Sequence, residues 1–442
     1  MSRPHVDVVH ADMREALAEM ATNGVRFDAV VSDPPYHFAS IVKRFGAANA
    51  APAKSDGATG VYHRSAKGFM SKTWDGGDIA FRPETWALVG SVMKPGAHLV
   101  AFGAPKNFHR LVCAIEDAGF EIRDQLMWMF GTGFPKSHDV AKGIDRHNGD
   151  ERPVVGRETL SNDIRGGALL DVAHGTTRPA LERDITSAAS AASAAWEGWG
   201  TALKPAYEPI VLARWPLDGS VAANVLKHGV GGLNIDACRV EWAGTEDAAA
   251  AAAAAGFADS RARGTAKQSV SIGKESRDGI NRYDPTAIKG RWPANLVHDG
   301  SDEVVAVFPR APGQRAPVTG NEGNSRNVFN PFAGNAACQP RGDEGSAARF
   351  FYSAKADAGD RVGSKHPTVK PVDLMRWLVR LIVPKGGRVL DPFAGSGTTG
   401  MAALAEGCHA TLIEREAEYV ADIRRRIAHV SGGDAPLFAA AE

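Results

Sequence analysis

Both ends of the chain alternate short apolar strands with single amphipathic helices, and the long middle does not. At the N-terminal end HVDVVH (5–10) reads as a strand, MREALAEMA (13–21) as a helix and FDAVVS (27–32) as a second strand. RPETWALVGSVM (82–93) reads as a helix stopped by KPGA, and HLVAFG (98–103) as a third strand. NFHRLVCAIEDAGF is a helix closing at Gly119, and EIRDQLMWMF is another strand. The pattern resumes near residue 350 with the helix KPVDLMRWLVRLIV, the strand RVLDPF, a glycine turn, the helix GMAALAEG, the strand HATLIE and the helix EAEYVADIRRRIAHV. Strands joined by single helices predict right-handed crossovers and a parallel sheet. The expected fold is therefore a doubly wound, mostly parallel, Rossmann-like α/β sheet built from 1–135 and 350–432, with an irregular insertion at 136–349 and a tail at 433–442.

Within the middle, ITSAASAASAAWEGWG and TEDAAAAAAAAGFADSRARG are biased stretches; the second is either an Ala helix capped by Thr245 or a linker. YEPIVLARWPL between them reads as a strand, and HGVGGLNIDACRVEW as turns with a short strand. The segment 38–72 is rich in Gly, Ala, Ser and Lys and reads as a long loop.

The 442 residues are 44% hydrophobic, enough for a sizeable core. No apolar run approaches the ~20 residues that span a bilayer, and the first residues lack a signal-peptide pattern. The expectation is a cytoplasmic protein without membrane contact. Cys113, Cys238, Cys338 and Cys408 form no CxxC pair, so neither a metal knuckle nor a disulfide framework is expected. Net charge is zero, so any nucleic-acid contact must come from local basic patches. One candidate runs from Arg261 to Arg315, where Lys and Arg outnumber the acids.

The stretch RVLDPFAGSGTTG places a glycine turn between a strand and a helix. Gly395 and Gly397 permit a sharp turn and a close ligand approach, and the helix start offers free N–H groups. Asp391 precedes the turn, and Glu414 ends the next strand where a carboxylate can hold ribose hydroxyls. There is no GxGxxG and no P-loop lysine, so an adenosyl ligand with a cationic centre and an amino-acid tail fits better than a dinucleotide or NTP. A plain structural turn is the alternative on these residues alone.

DPFAGSGTT resembles the S-adenosylmethionine motif of amino-group DNA methyltransferases, and DPPY (33–36) resembles their catalytic motif. The order, DPPY first and glycine turn last, is similar to the permuted β class. HPTVKP (366–371) and VVHADM at the start match as well, and LKPAYEPIVLARWPL, GRWPANLVHDG and RFFYSAKA resemble phage-borne and prophage-borne members. The resemblance implies a methyltransferase sheet with an inserted target-recognition region, S-adenosylmethionine as cofactor and double-stranded DNA as partner. It implies that Asp391, Phe393, Gly395, Ser396, Gly397 and Thr398 line the cofactor, that Glu414 accepts from its ribose and that Asp12 reaches its adenine. It also implies that Thr368 and Lys370 stand near its carboxylate, with His366 either structural or ligand-contacting.

An exocyclic amine is a poor nucleophile because its lone pair is delocalised into the ring. An acceptor carboxylate and a carbonyl placed against its two N–H bonds favour the change toward sp³. Asp33 supplies the first, and the resemblance implies that Pro34 supplies the second. Pro34 and Pro35 fix φ and offer no competing N–H, and Tyr36 offers a face for an extruded base. The alternative is a turn with a half-buried aromatic. No Pro-Cys dipeptide is present, which disfavours C5-cytosine chemistry. The resemblance implies that Asp at the first motif position leans toward adenine N6, with cytosine N4 as the alternative; an RNA substrate and a catalytically silent DNA-binding or cofactor-binding protein also stand as alternatives. Lys43, Arg44, Lys54, Arg64, Lys67 and Lys72 are expected to close over DNA. A homodimer and a cognate restriction endonuclease are the further partners considered.

Overall fold

The structure is a computed structural model that describes residues 3–36, 78–133, 137–160, 181–242, 290–310, 326–327, 330–331, 345–354, 358–364, 366 and 368–431. The loop 38–72, the Ala-rich stretch, most of the basic 261–315 segment, Cys338 and the tail lie outside the described residues. The chain divides into two units, one of Met1–Phe130 with Tyr207–Glu442 and one of Gly131–Ala206.

In chain order the strands are β1 (Val6–His10), β2 (Phe27–Ser32), β3 (Met93–Phe102), β4 (Glu121–Met129), β5 (Val154–Leu160), β6 (Leu181–Thr186), β7 (Tyr207–Arg214), β8 (Leu296–His298), β9 (Arg326–Asn327), β10 (Asn330–Pro331), β11 (Tyr352–Ser353), β12 (Arg388–Asp391) and β13 (His409–Glu414). The helices are α1 (Met13–Thr22), α2 (Pro83–Ser91), α3 (Phe108–Asp117), α4 (Val140–Asn148), α5 (Ala191–Ala194), α6 (Val221–His228), α7 (Asp302–Val307), α8 (Val372–Ile382), α9 (Thr398–Ala405) and α10 (Ala417–Ser431).

The larger unit is built on a nine-stranded sheet in the order β1-β13-β12-β2-β3-β7-β4-β8-β11. Its neighbours pair parallel throughout, except that β7 runs antiparallel to both β3 and β4. All six residues of β2 are buried, as expected of a central strand covered on both faces. Alternation along it sends Ala29 and Val31 into one core with Leu374, Trp377, Leu378 and Ala402 from α8 and α9. Val30 enters a second core with Leu17, Trp86 and Leu111 from α1, α2 and α3. These are the three layers of a doubly wound α/β fold.

Two sequence expectations change here. Residues 136–349 are not one insertion: β7 and β8 belong to the sheet, and only Gly131–Ala206 separates as a unit. YEPIVLAR is apolar because it is a buried interior strand. KPGA does not end a helix; it lies inside β3, where the pairing with β2 shifts register between Phe27 and Ala29. Gly96 takes φ +76° there, and its N–H is satisfied by the carbonyls of Trp215 and Pro216. Turn residues have become a bulge.

The smaller unit contains the antiparallel pair β5–β6 and the helices α4 and α5. Asp139 caps α4 by accepting from the Lys142 amide at 3.0 Å, and Gly149 ends it in a left-handed conformation. Asp145, buried on α4, pairs with Arg152, whose Nε donates to Thr186 Oγ1 at 3.0 Å.

Candidate active site

Parallel pairing of β12 with β2 aligns Val389 with Ala29 and Leu390 with Val30, so the ends of the two strands are neighbours. The corner that follows β2 and the glycine turn that follows β12 therefore open at one edge of the sheet. This is the crevice outside the strand ends where open α/β sheets bind ligands. Ser32 Oγ donates to Asp391 Oδ1 at 2.8 Å across that seam. Asp391 also accepts from Thr399 Oγ1 at 2.6 Å and from the Phe393 amide at 3.1 Å. Burial pushes its carboxyl up to about 6 despite these donors. Asp391 thus braces the turn from within.

The glycine turn has the geometry its residues predict. Gly395 (φ +51°) and Gly397 (φ +74°) are left-handed, and Gly397 caps α9. A Cβ on Gly397 would stand 2.9 Å from two side-chain atoms of buried Ile423, and one on Gly395 would stand 3.2 Å from His366 Nε2. Ser396 and Thr398 are both buried, with their hydroxyls 3.0 Å apart. The Phe393 ring lies 6.5 Å from Trp86. Arg426, fully buried on α10, donates to the Ser396 carbonyl, to Thr398 Oγ1 and to the Asp360 carbonyl. Burial lowers its guanidinium to about 10.

Glu414 ends β13 beside this turn. Its Oε2 accepts from the Gly395 amide at 2.8 Å and its Oε1 from the Glu416 amide at 2.8 Å, while burial raises its carboxyl. Asp12 follows β1, the strand paired with β13, and caps α1 by accepting from the Arg14 amide at 2.9 Å. The bidentate pair with the Arg14 side chain, the largest effect on it, lowers its carboxyl to about 2. Thr368 is exposed, and His366 Nδ1 donates to its carbonyl at 2.8 Å. The His366 ring packs edge-on against Tyr419 at 4.6 Å, and burial lowers its pKa.

The Asp33–Tyr36 corner is tied to residues far away in the chain. Lys370 is buried, and its ammonium lies 2.8 Å from Asp33 Oδ2 and 3.0 Å from Glu208 Oε2. It also donates to Tyr36 Oη at 3.1 Å, and Tyr36 Oη donates to Glu208 Oε2 at 3.3 Å. Asn107 Nδ2 donates to the Tyr36 carbonyl at 2.5 Å. Pro34 is buried and Pro35 half-buried. Asp33 Oδ1 is a buried acceptor with no hydrogen-bond partner among the described residues. Buried acceptors are almost always satisfied, so this oxygen stands out in the corner.

Every residue expected from sequence to be catalytic stands at the β2 corner, and the glycine-turn residues stand at the adjoining one. The contacts of Lys370 join it to the β2 corner, where two carboxylates compensate the burial of its charge. Sequence reasoning missed Ser32, Asn107, Glu208 and Arg426. Glu208 is the second residue of a strand that was legible, and Arg426 lies three residues beyond Ile423 on the apolar face of α10, a spacing that signals burial.

The sheet order and the paired strand ends define a doubly wound, Rossmann-like α/β domain. Residues 266–425 match the N6_N4_Mtase family, described as DNA methylase; the match includes Lys370 and the glycine turn and stops short of the β2 corner. The chain is 38% identical over 68 residues to Type II methyltransferase M2.DpnII of Streptococcus pneumoniae, covering 15% of this chain and 25% of that protein. It is 37% identical over 67 residues to Type II methyltransferase M2.MboI of Moraxella bovis, covering 15% and 24%. The chain thus spans about a quarter of the length of the curated relatives it matches. Among solved structures, that of the M1.HpyAVI–SAM complex is 12% identical with a TM-score of 0.37, covering 96% of this chain and 98% of that one.

Proposed function

We propose that the protein is a site-specific DNA methyltransferase that transfers a methyl group from S-adenosylmethionine to the N6 amine of adenine, after the base leaves the helix stack. The observation that carries this reading is the meeting of the two corners: Ser32, directly before Asp33, is bonded to Asp391, directly before the glycine turn. Groups for an acceptor amine and for an adenosyl cofactor then share one edge of the sheet.

The residues present suit the cofactor. The two left-handed glycines open the turn, Ser396 and Thr398 stand at the start of α9, and each Glu414 oxygen keeps a lone pair beyond its amide bond. When bound, S-adenosylmethionine supplies an electrophilic methyl with a neutral thioether as leaving group. Asp33 Oδ1 accepts one N–H of the target amine, and the Pro34 carbonyl accepts the other. These two acceptors would free the nitrogen lone pair for the methyl that bound S-adenosylmethionine would supply, and Asp33 would pass the amine proton to solvent. Tyr36 holds the base plane, and in-line placement does the rest.

The test is transfer of labelled methyl from S-adenosylmethionine to mixed-sequence double-stranded DNA and to RNA of the same sequence, followed by digestion to nucleosides. Label in N6-methyladenine and none in N4-methylcytosine is expected. The reverse outcome would establish cytosine N4 as the target. Cofactor binding without transfer to any substrate would mark a silent protein.

A further inference from the structure

The cluster behind Asp33 contains more than a catalytic acid requires. Lys370 carries three ammonium protons, and three acceptors surround it: Asp33 Oδ2, Glu208 Oε2 and Tyr36 Oη. The ammonium is saturated by these contacts and has no proton left for a further ligand. The rings of Phe102 and Tyr36 lie 4.8 and 5.3 Å from it. Two carboxylates and one ammonium leave a single net negative charge in this corner.

Resting on the methyltransferase reading, we propose that Glu208 and Lys370 are positioning residues for Asp33: Glu208 holds the Lys370 ammonium on Asp33 Oδ2, so that Oδ1 stays open toward the target amine. Lys370 prevents Asp33 from turning to share its oxygens with another donor. Glu208 takes part of the ammonium's charge, so that Asp33 remains a strong acceptor rather than half of a neutral pair. Burial opposes the charge of Lys370, yet Asp33 and Glu208 outweigh burial and raise it to about 12, so it stays an ammonium throughout and is not the base. Glu208 is the second residue of β7, which runs antiparallel to both its neighbours, and this orientation brings a strand start to the edge where the neighbouring strands end.

The sign of each substitution follows from the charges. In Glu208→Gln the ammonium belongs to Asp33 alone, which stabilises the carboxylate and weakens it as an acceptor. In Lys370→Met two carboxylates face each other in a buried corner, which holds a proton on the pair. The experiment is single-turnover methylation by the full chain, with its pH profile, on saturating cofactor and DNA, normalised to the fraction of sites that bind cofactor. Glu208→Gln is expected to slow transfer about 10-fold or more, with the acid limb of the profile at lower pH than in the unaltered protein. Lys370→Met is expected to slow it as well, with the acid limb at higher pH. Slowing with an unmoved profile in both variants, or an unchanged single-turnover rate in both, would overturn the proposal. If the unaltered protein transfers methyl and Glu208→Gln matches it, this inference alone fails. If the unaltered protein transfers none, both fail.

Discussion

Ser32 Oγ and Asp391 Oδ1, 359 positions apart in the chain, form a buried hydrogen bond of 2.8 Å that joins the ends of two adjacent parallel strands. The bond helps the fold to bury an acid beside a turn and holds two chemically different corners in register.

Ser32→Ala tests that bond through its pH dependence. The Asp391 carboxyl is raised in the folded protein to about 6, so its contribution to stability is present below its unfolded value and lost as pH rises through about 6. Removing the Ser32 donor takes support from the ionised form only. The variant should match the unaltered protein near pH 4–5 and lose about 1–3 kcal/mol near pH 8. Denaturant unfolding at the two pH values measures this, and equal losses at both would contradict it.

Gly397→Ala and Gly407→Ala separate backbone strain from crowding. Both glycines are left-handed, at φ +74° and +70°, but only at Gly397 does an added Cβ meet neighbouring atoms, at 2.9 Å from Ile423. Gly407→Ala should cost about 1–2 kcal/mol from strain, and Gly397→Ala about 1–3 kcal/mol more from overpacking. Urea midpoints of the two variants should therefore differ, with Gly397→Ala the lower.

Arg426→Met should loosen the glycine turn from behind. It removes the donors to the Ser396 and Asp360 carbonyls and to Thr398 Oγ1. Unfolding should show a loss of about 2–3 kcal/mol. Calorimetric titration with S-adenosylmethionine should show binding about tenfold weaker, the equivalent of ~1.4 kcal/mol. Unchanged affinity would detach Arg426 from the turn's function.

Asp33→Asn keeps the shape of the side chain and removes its charge. Methyl transfer in a single turnover should fall by about 100-fold or more, while cofactor affinity should stay within about threefold. Transfer at the original rate would remove Asp33 from the chemistry.

The two corners were legible because each is local: a strand, a few residues of special φ, and an acid. The parallel sheet was legible from periodicity at both ends. What escaped depends on distant partners. Glu208 in YEPIVLAR reads as an ordinary polar strand residue until Lys370 is brought beside it. Arg426 sits in the run Arg424–Arg425–Arg426, which looks like a solvated face, and only the helical phase separates it from its exposed neighbours. KPGA carries the composition of a stop signal, yet carbonyls from Trp215 and Pro216 turn it into a bulge. The strand β7 was recognised, but its place inside the sheet required knowing which edges of β3 and β4 it would fill.

The pairing of β2 with β12 also has a consequence in time. A ribosome adding roughly 5–20 residues per second finishes β2 early and reaches β12 only tens of seconds later. Throughout that interval the most apolar strand of the N-terminal half has an unfilled edge, the kind of edge that recruits other chains. Expression yield should therefore depend on elongation rate and chaperone supply more than on the stability of the finished protein.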